Sequence, residues 1–512
     1  MPMVPIENIG QVGVIKDAEP VLLPPNAFTD ALNVRFRNGS VETILGESVF
    51  ATVTSAPSYG IHWPRPDTAY NVFIKDGSAT AVAADGTTQT LLAGSYPDSR
   101  WQLDNFGGGY AVYANNGKST PLYALVGDPD ADLSFQEFPG WNYGTNTVTA
   151  KIVRSLNYSL IAANLTITDE ADVVTYAPVT VRVSVQAAIG NFPTIWQPGL
   201  TTDTADELEV NSTTPIVDMK ELRGSMFIYT SNSIHVLSIQ NGVTNVRPYS
   251  KSYGALSIDC IAEYEGRHLV VDRNDIYYHN GSGEIKSAVD SRWRDYFIEN
   301  LNKSHANNTF VVTNPRYSEI WVCFPNLEST GKCNEALIYN YRLDNWTRRQ
   351  LPNVSYLFQS PPILDDGFVN GKATLIGCNG TTTTLLMDSG YQMYNGTALD
   401  DYLSYAERKF LLLKEPSGDS RISSMAPTLT VQTNDATVYL RMKGTNIYDT
   451  EVDLSVSDDS RDTFAIQPRS MQYGYKLDPR EQSRFISYRL YSTEPWKLST
   501  LHVEAQPNVN RR

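Results

Sequence analysis

The sequence predicts an all-β protein: a β-propeller with an inserted β-rich segment and a C-terminal β-sandwich-like domain. Three observations carry this. Charged residues make up only 19% of the 512 positions, while Tyr (30), Gly (33) and Pro (28) are abundant, a composition suited to short strands and tight turns. A strand-turn-strand phrase returns at spacings of roughly 35 to 50 residues, the range of propeller blades. After Gly390 that phrase gives way to longer strands with strict apolar and polar alternation, as in a half-exposed antiparallel sheet. A lone hairpin cannot bury its apolar face, whereas a radial stack of blades can. A series of unrelated β-sandwiches would give similar spacing and stays open as the alternative.

Residues 1–56 read as an extended arm ending in a hairpin. In Val34-Arg35-Phe36-Arg37-Asn38-Gly39-Ser40-Val41, the apolar residues alternate with arginines ahead of an Asn-Gly turn, a strong short-range hairpin signal. Such a leader is suited to adding an edge to a neighbour or to closing a propeller ring. Residues 57–393 carry the repeated phrase, for example at 70–77, 226–237 and 268–278, and about five to seven blades fit. The spacing breaks at about 140–215, where Thr- and Val-rich strands precede a loop with Pro193, Trp196 and Pro198. This is read as a blade with an elaborated insertion or a small inserted β-domain. Residues 394–512 form the C-terminal antiparallel domain, with 484–492 and 496–504 as the closing strands of one sheet.

Charge and motifs exclude several function classes. The net charge of -15 argues against tight sequence-specific DNA binding, which draws most of its affinity from Lys and Arg on phosphates, but leaves room for a protein that DNA passes without sticking. No stretch approaches the roughly twenty apolar residues of a membrane-spanning helix, so no membrane insertion is expected, and the N-terminus lacks the pattern of an export signal. No H-E-x-x-H, G-x-S-x-G or phosphate-binding glycine loop is present. No catalytic residue, metal or cofactor is therefore assigned, and the chain is not expected to be an enzyme. His268 and His279 flank one hairpin and read as a hydrogen-bonded structural pair ahead of a metal site. Asp128, Asp130 and Asp132 alternate like a calcium loop, but Leu133 and Pro139 stand where glycine and glutamate belong, so a solvated turn is expected. Asp365-Asp366, Asp400-Asp401 and Asp458-Asp459 are read likewise as turns. Cys260, Cys323, Cys333 and Cys378 sit in apolar contexts without C-x-x-C spacing and read as buried reduced thiols. Among the tryptophans, Trp321 and Trp346 fit core packing between blades, and Trp196 is the candidate exposed contact.

The segment 23–42, Leu-Pro-Pro-Asn-Ala-Phe-Thr-Asp-Ala-Leu-Asn-Val-Arg-Phe-Arg-Asn-Gly-Ser-Val-Glu, ending near Gly46, resembles the opening of tail nozzle proteins of short-tailed bacteriophages, also called tail tubular or tail-stabilisation proteins. The run 232–238, then Tyr253-Gly254-Ala255 and the hairpin at 268–281, is similar to the mid-propeller pattern of that family. The resemblance implies a structural protein of the virion, assembled in the host cytoplasm. It implies a homo-oligomeric ring, typically a hexamer, below the portal and adaptor, sealing the packaged genome and conducting it during ejection. Its implied partners are further copies of itself, the adaptor, a tail fibre or needle protein, and double-stranded DNA passing without specific binding.

On this reading Arg35, Arg37, Arg480, Arg484 and Arg489 are expected to meet neighbouring subunits; the alternative for each is a solvated charge on a strand face. The runner-up function is a propeller adhesin or glycan-active tail protein, contacting host polysaccharide through Trp196 or Trp141. A general interaction scaffold is a third reading.

Overall fold

A computed structural model describes residues 4–507 apart from 98, 143, 199–204, 241, 362–373, 413–419, 432–436, 449–450, 456–461 and 467–475. Seven four-stranded antiparallel sheets follow one another around an axis, numbered here as blades 1 to 7. Their first strands are Tyr59–Trp63, Gln102–Phe106, Thr147–Leu156, Ile216–Leu222, Ile261–Tyr264, Phe310–Asn314 and Tyr356–Ser360. Each lies beside the next and the last lies beside the first, so the ring closes and these strands surround the axis. Because blades cover one another on both faces, several strands are buried along their whole length, as at Ala111–Asn115 and Glu319–Phe324.

Blade 7 is completed from the other end of the chain. Glu47–Thr52 pairs antiparallel with Thr383–Met387 as the outermost strand, with Val49 opposite Leu385. The stretch at 140–215, expected as an insertion, is blade 3 itself, built from Thr147–Leu156, Ser159–Thr168, Val174–Val183 and Asp206–Glu209. Three of these strands have 10 residues, against 5 and 6 for Tyr59–Trp63 and Tyr70–Lys75 of blade 1. That added length broke the spacing in the sequence, and it leaves Val173, Val174 and Tyr176 exposed near one hairpin turn.

The C-terminal domain is two sheets sharing one core, and the arm belongs to both. One sheet runs Gln482–Ser483, Ser420–Val431, Trp496–Pro507, Ser40–Thr43, Val34–Arg37, with Val4–Ile6 also paired to Trp496–Pro507. The other runs Asp30–Leu32, Ser404–Leu412, Phe485–Ser492, Val438–Thr445, Thr463–Ile466. Strands Phe485–Ser492 and Trp496–Pro507, expected in one sheet, thus lie in different sheets: residues 493–495 carry the chain across, and Trp496–Pro507 pairs with Ser420–Val431 and the arm. Ala406, Leu440, Tyr488, Met425, Leu498 and Leu501 fill the space between. The Asn38-Gly39 turn forms as its sequence dictates, with φ of 51° and 72°, positive at both central positions as a type I′ turn requires.

Candidate functional site

The arginines named from the sequence occupy different environments. Arg35 is buried: its Nε donates to Glu319 Oε1 at 2.8 Å and its Nη2 to Asp388 Oδ2 at 2.8 Å, with the ring of Tyr317 3.6 Å from the guanidinium carbon. This corrects the expectation of an inter-subunit contact there, since the guanidinium is enclosed and matched inside its own chain. Burial pushes the Asp388 carboxyl up, but the Arg35 charge and hydrogen bonds outweigh it and hold the group below the usual range. Arg37 is half-buried, 3.8 Å from Glu42 and 5.2 Å from the centre of the Tyr317 ring. Arg480 is exposed with a φ of 53°. Arg484 lies beside Phe485, 5.1 Å to the ring centre. Arg489 donates to Glu407 at 2.6 Å and covers Tyr405, so its charge is already matched within the sandwich.

Trp196 is 0% exposed, which overturns its reading as an exposed contact. The loop after Val174–Val183 folds back onto blade 3, where Trp196 meets Trp141 edge-on at 4.6 Å and stacks with Phe138 at 5.7 Å. Arg182 fixes the pair by donating to the carbonyls of Trp196 and Trp141 at 3.0 and 2.7 Å. Trp141 is equally buried, so neither ring forms a platform for sugars.

The axis of the propeller carries a charge network that sequence spacing does not signal. Arg154 donates to Asp218 Oδ1 from Nε and Nη2 at 3.2 and 2.9 Å, and to Asp259 Oδ1 at 3.1 Å. Arg100 donates to Asp259 Oδ2 at 3.2 Å, and the Asp259 amide donates to Asp218 Oδ2 at 2.8 Å. Tyr59 and Tyr356 stack at 3.8 Å beside it, with their hydroxyls 2.9 Å apart. Two arginines face two aspartates, so the cluster is neutral as a whole. Burial raises the Asp218 carboxyl and Arg154 works against that rise. An axis filled in this way conducts nothing as wide as a duplex through a single propeller.

His268 and His279 meet through Tyr229. His268 Nε2 faces the Glu221 carbonyl at 2.9 Å, so it carries the proton and its Nδ1 accepts from the Tyr229 hydroxyl at 2.7 Å. His279 accepts from the Gly281 amide at Nδ1 and therefore donates from Nε2 to the Tyr229 oxygen at 2.6 Å. All four ring nitrogens are used. Among the described residues no group of three or more His, Cys, Asp or Glu side chains is placed to hold a metal ion. The four cysteines are buried and free, and burial pushes the Cys260 thiol up to about 12. In the acidic turn, Asp128 Oδ1 accepts from the Asp130 amide at 3.0 Å, and Asp132 pairs with Arg65 at 2.7 Å. Asp365-Asp366 and Asp458-Asp459 lie outside the described residues.

No protein-family model matches the chain, and no curated protein matches it. Among solved structures the chain is similar to Sqt1 of Saccharomyces cerevisiae, with 9% identity and a TM-score of 0.37 over 67% of this chain and 99% of that one. It is similar also to U3-55K, with 10% identity and a TM-score of 0.40 over 67% of this chain and 98% of that one. At these values neither bears on function, and the propeller is established by its own strand order.

Proposed function

We propose that the chain is a structural virion protein that forms the tail nozzle ring of a short-tailed phage, below the portal and adaptor, where it seals the packaged genome and conducts it during ejection. The reading rests first on the resemblance of residues 23–46 to the opening of that family. The observation that carries it is where this segment lies: it runs through both sheets of the sandwich and ends at Glu47, the start of the strand that closes the propeller. Two buried ion pairs fasten the same stretch to blade 6, Arg35 with Glu319 and Glu47 with Arg349. Separate domains move against each other by default, but interleaved strands and buried ion pairs hold these two as one body, as a wall under internal pressure requires. The net charge of -15 gives passing DNA little to bind. With each propeller axis filled, the conduit belongs to the space enclosed by a ring of copies, and the partners are those copies, the adaptor and a fibre or needle.

The test is negative-stain imaging of particles made when the gene is deleted from the virus that encodes it. Heads that lack the distal tail and leak DNA are expected. Complete, filled particles that only fail to attach to cells overturn the reading in favour of an adhesin.

A further inference from the structure

Two neighbouring blades carry opposite surface charge. Blade 3, residues 147–209, holds seven acidic and three basic residues, and of the basic ones Arg154 and Arg182 are buried. Blade 4 with the turn after it, residues 216–251, holds four basic and two acidic residues, and one of those two acids, Asp218, is buried against Arg154. In a chain with 56 acidic against 41 basic residues, blade 4 runs against the composition.

On blade 3 the charge gathers at the end of the long hairpin. Ser159–Thr168 and Val174–Val183 pair out to Thr168 and Val174, but Asp206–Glu209 covers the outer edge of Val174–Val183 only at residues 180–183. The uncovered end carries Asp169, Glu170 and Asp172 at its turn with Val173, Val174 and Tyr176 beside them, all exposed, Tyr176 by 76%. On blade 4 the outermost strand, Val243–Ser250, is paired on one side only. Its exposed residues Val243, Asn245 and Arg247 alternate and so share a face, with exposed Lys251 just beyond; Val243 is 68% exposed. Among the described residues, neither the three hairpin acids nor Arg247 and Lys251 enter an ion pair. Pro178 and Pro248 interrupt the two open edges, which favours contact through side chains over the addition of a strand.

Each surface thus combines exposed apolar side chains with charges unmatched in its own chain, and the two signs are opposite. We propose that the blade 3 hairpin of one copy docks on the blade 4 edge of a second copy, with Val174 and Tyr176 against Val243 and the acids against Arg247 and Lys251. Two different surfaces meeting in this way make a head-to-tail contact, which repeats from copy to copy and closes a ring when the rotation permits. The contact rests on the ring reading only in taking a second copy as the occupant.

The test is sedimentation velocity of the full-length protein. Self-association is expected at low salt and is expected to fall as salt screens the facing charges. A hairpin variant combines Glu170→Lys, Ala171→Lys and Asp172→Asn; it leaves Asp169 to accept from the Ala171 and Val173 amides, and Asn tolerates the φ of 58° at position 172. An edge variant combines Arg247→Glu and Lys251→Glu. Each alone is expected to weaken association on the order of a hundredfold, because like charges then face each other. Mixed in equal amounts, the two variants are expected to regain it, since each altered surface then meets one of opposite sign. Tyr176→Ala is expected to weaken association on the order of tenfold. Lys303→Glu, exposed between blades 5 and 6, is the control and leaves it unchanged. Wild-type protein that stays monomeric at low salt overturns the proposal, as does a mixture of folded variants that fails to reassemble. Particles that lose their tail on gene deletion, beside an isolated protein that stays monomeric, would keep the ring reading and discard this contact.

Discussion

Arg35 donates from Nε to Oε1 of Glu319 at 2.8 Å across 284 positions of sequence, joining the N-terminal arm to blade 6. Replacing Arg35 with Met leaves the carboxylates of Glu319 and Asp388 buried without their cation. The expected cost is about 3 to 5 kcal/mol in denaturant unfolding. Arg37→Met, two residues along with a half-buried side chain and a long 3.8 Å ion pair, is expected to change stability by less than about 1 kcal/mol. Equal effects of the two would show that the arm does not hold the bodies together.

The pair His268 and His279 gives a pH dependence of definite sign. Burial lowers their values to about 3 and about 4, against 6.5 for the unfolded chain. The unfolded chain therefore takes up these two protons first, so their contribution to stability is complete above pH 6.5 and declines as pH falls toward the folded values. Thermal unfolding between pH 8 and pH 5 is expected to show a falling Tm. A variant with both histidines replaced by Asn is expected to show a flatter profile, and an unchanged slope would assign the acid sensitivity to other groups.

Arg408 lies within the sandwich core at 0% exposure; its Nη2 donates to the Leu23 carbonyl at 2.8 Å, while among the described residues it has no carboxylate partner and its Nε and Nη1 have no acceptor. Burial lowers its pKa from the ordinary value. Removing such a cation relieves desolvation that one hydrogen bond to a carbonyl offsets only in part. Arg408→Met is expected to be neutral or stabilising by about 1 to 3 kcal/mol in urea unfolding. A loss larger than about 1 kcal/mol would mean that the hydrogen bond to Leu23 outweighs the buried charge.

The thiols make a kinetic prediction. With the Cys260 thiol pushed up to about 12 and all four cysteines buried, a disulfide reagent at pH 8 is expected to find no reactive thiolate in the folded protein. All four should react once denaturant is added. Rapid reaction of any one in the native state would reveal local opening of its blade.

What the sequence made legible is mostly local. The Val34–Thr43 hairpin is specified by alternation and an Asn-Gly turn within ten positions, and the short strands of the blades by neighbouring turn residues. The readings that failed concern what lies opposite. Arg35 alternates with apolar residues like a solvent-facing charge, yet its partners are 284 and 353 positions away. Trp196 between prolines looked like a loop tip, but Phe138 and Trp141 cover it from an earlier connection. The axial cluster gives no sequence signal at all, because Arg100, Arg154, Asp218 and Asp259 come from four different blades or the turns that lead into them. The pairing of His268 with His279 was legible because both lie on one hairpin, directly opposite in register.

The closing strand sets a timetable for biosynthesis. Val49 emerges from the ribosome early, but its partner Leu385 is made more than three hundred residues later, which at cellular translation rates is on the order of tens of seconds. Through that interval Glu47–Thr52 is an unpaired edge, and Val4–Ile6 waits longer still for Val503. The propeller can finish once Met387 has been made, whereas the sandwich waits for the final strand, so a message truncated late in the gene would yield a closed ring of blades carrying an unpaired, aggregation-prone sandwich sheet rather than a shorter working protein.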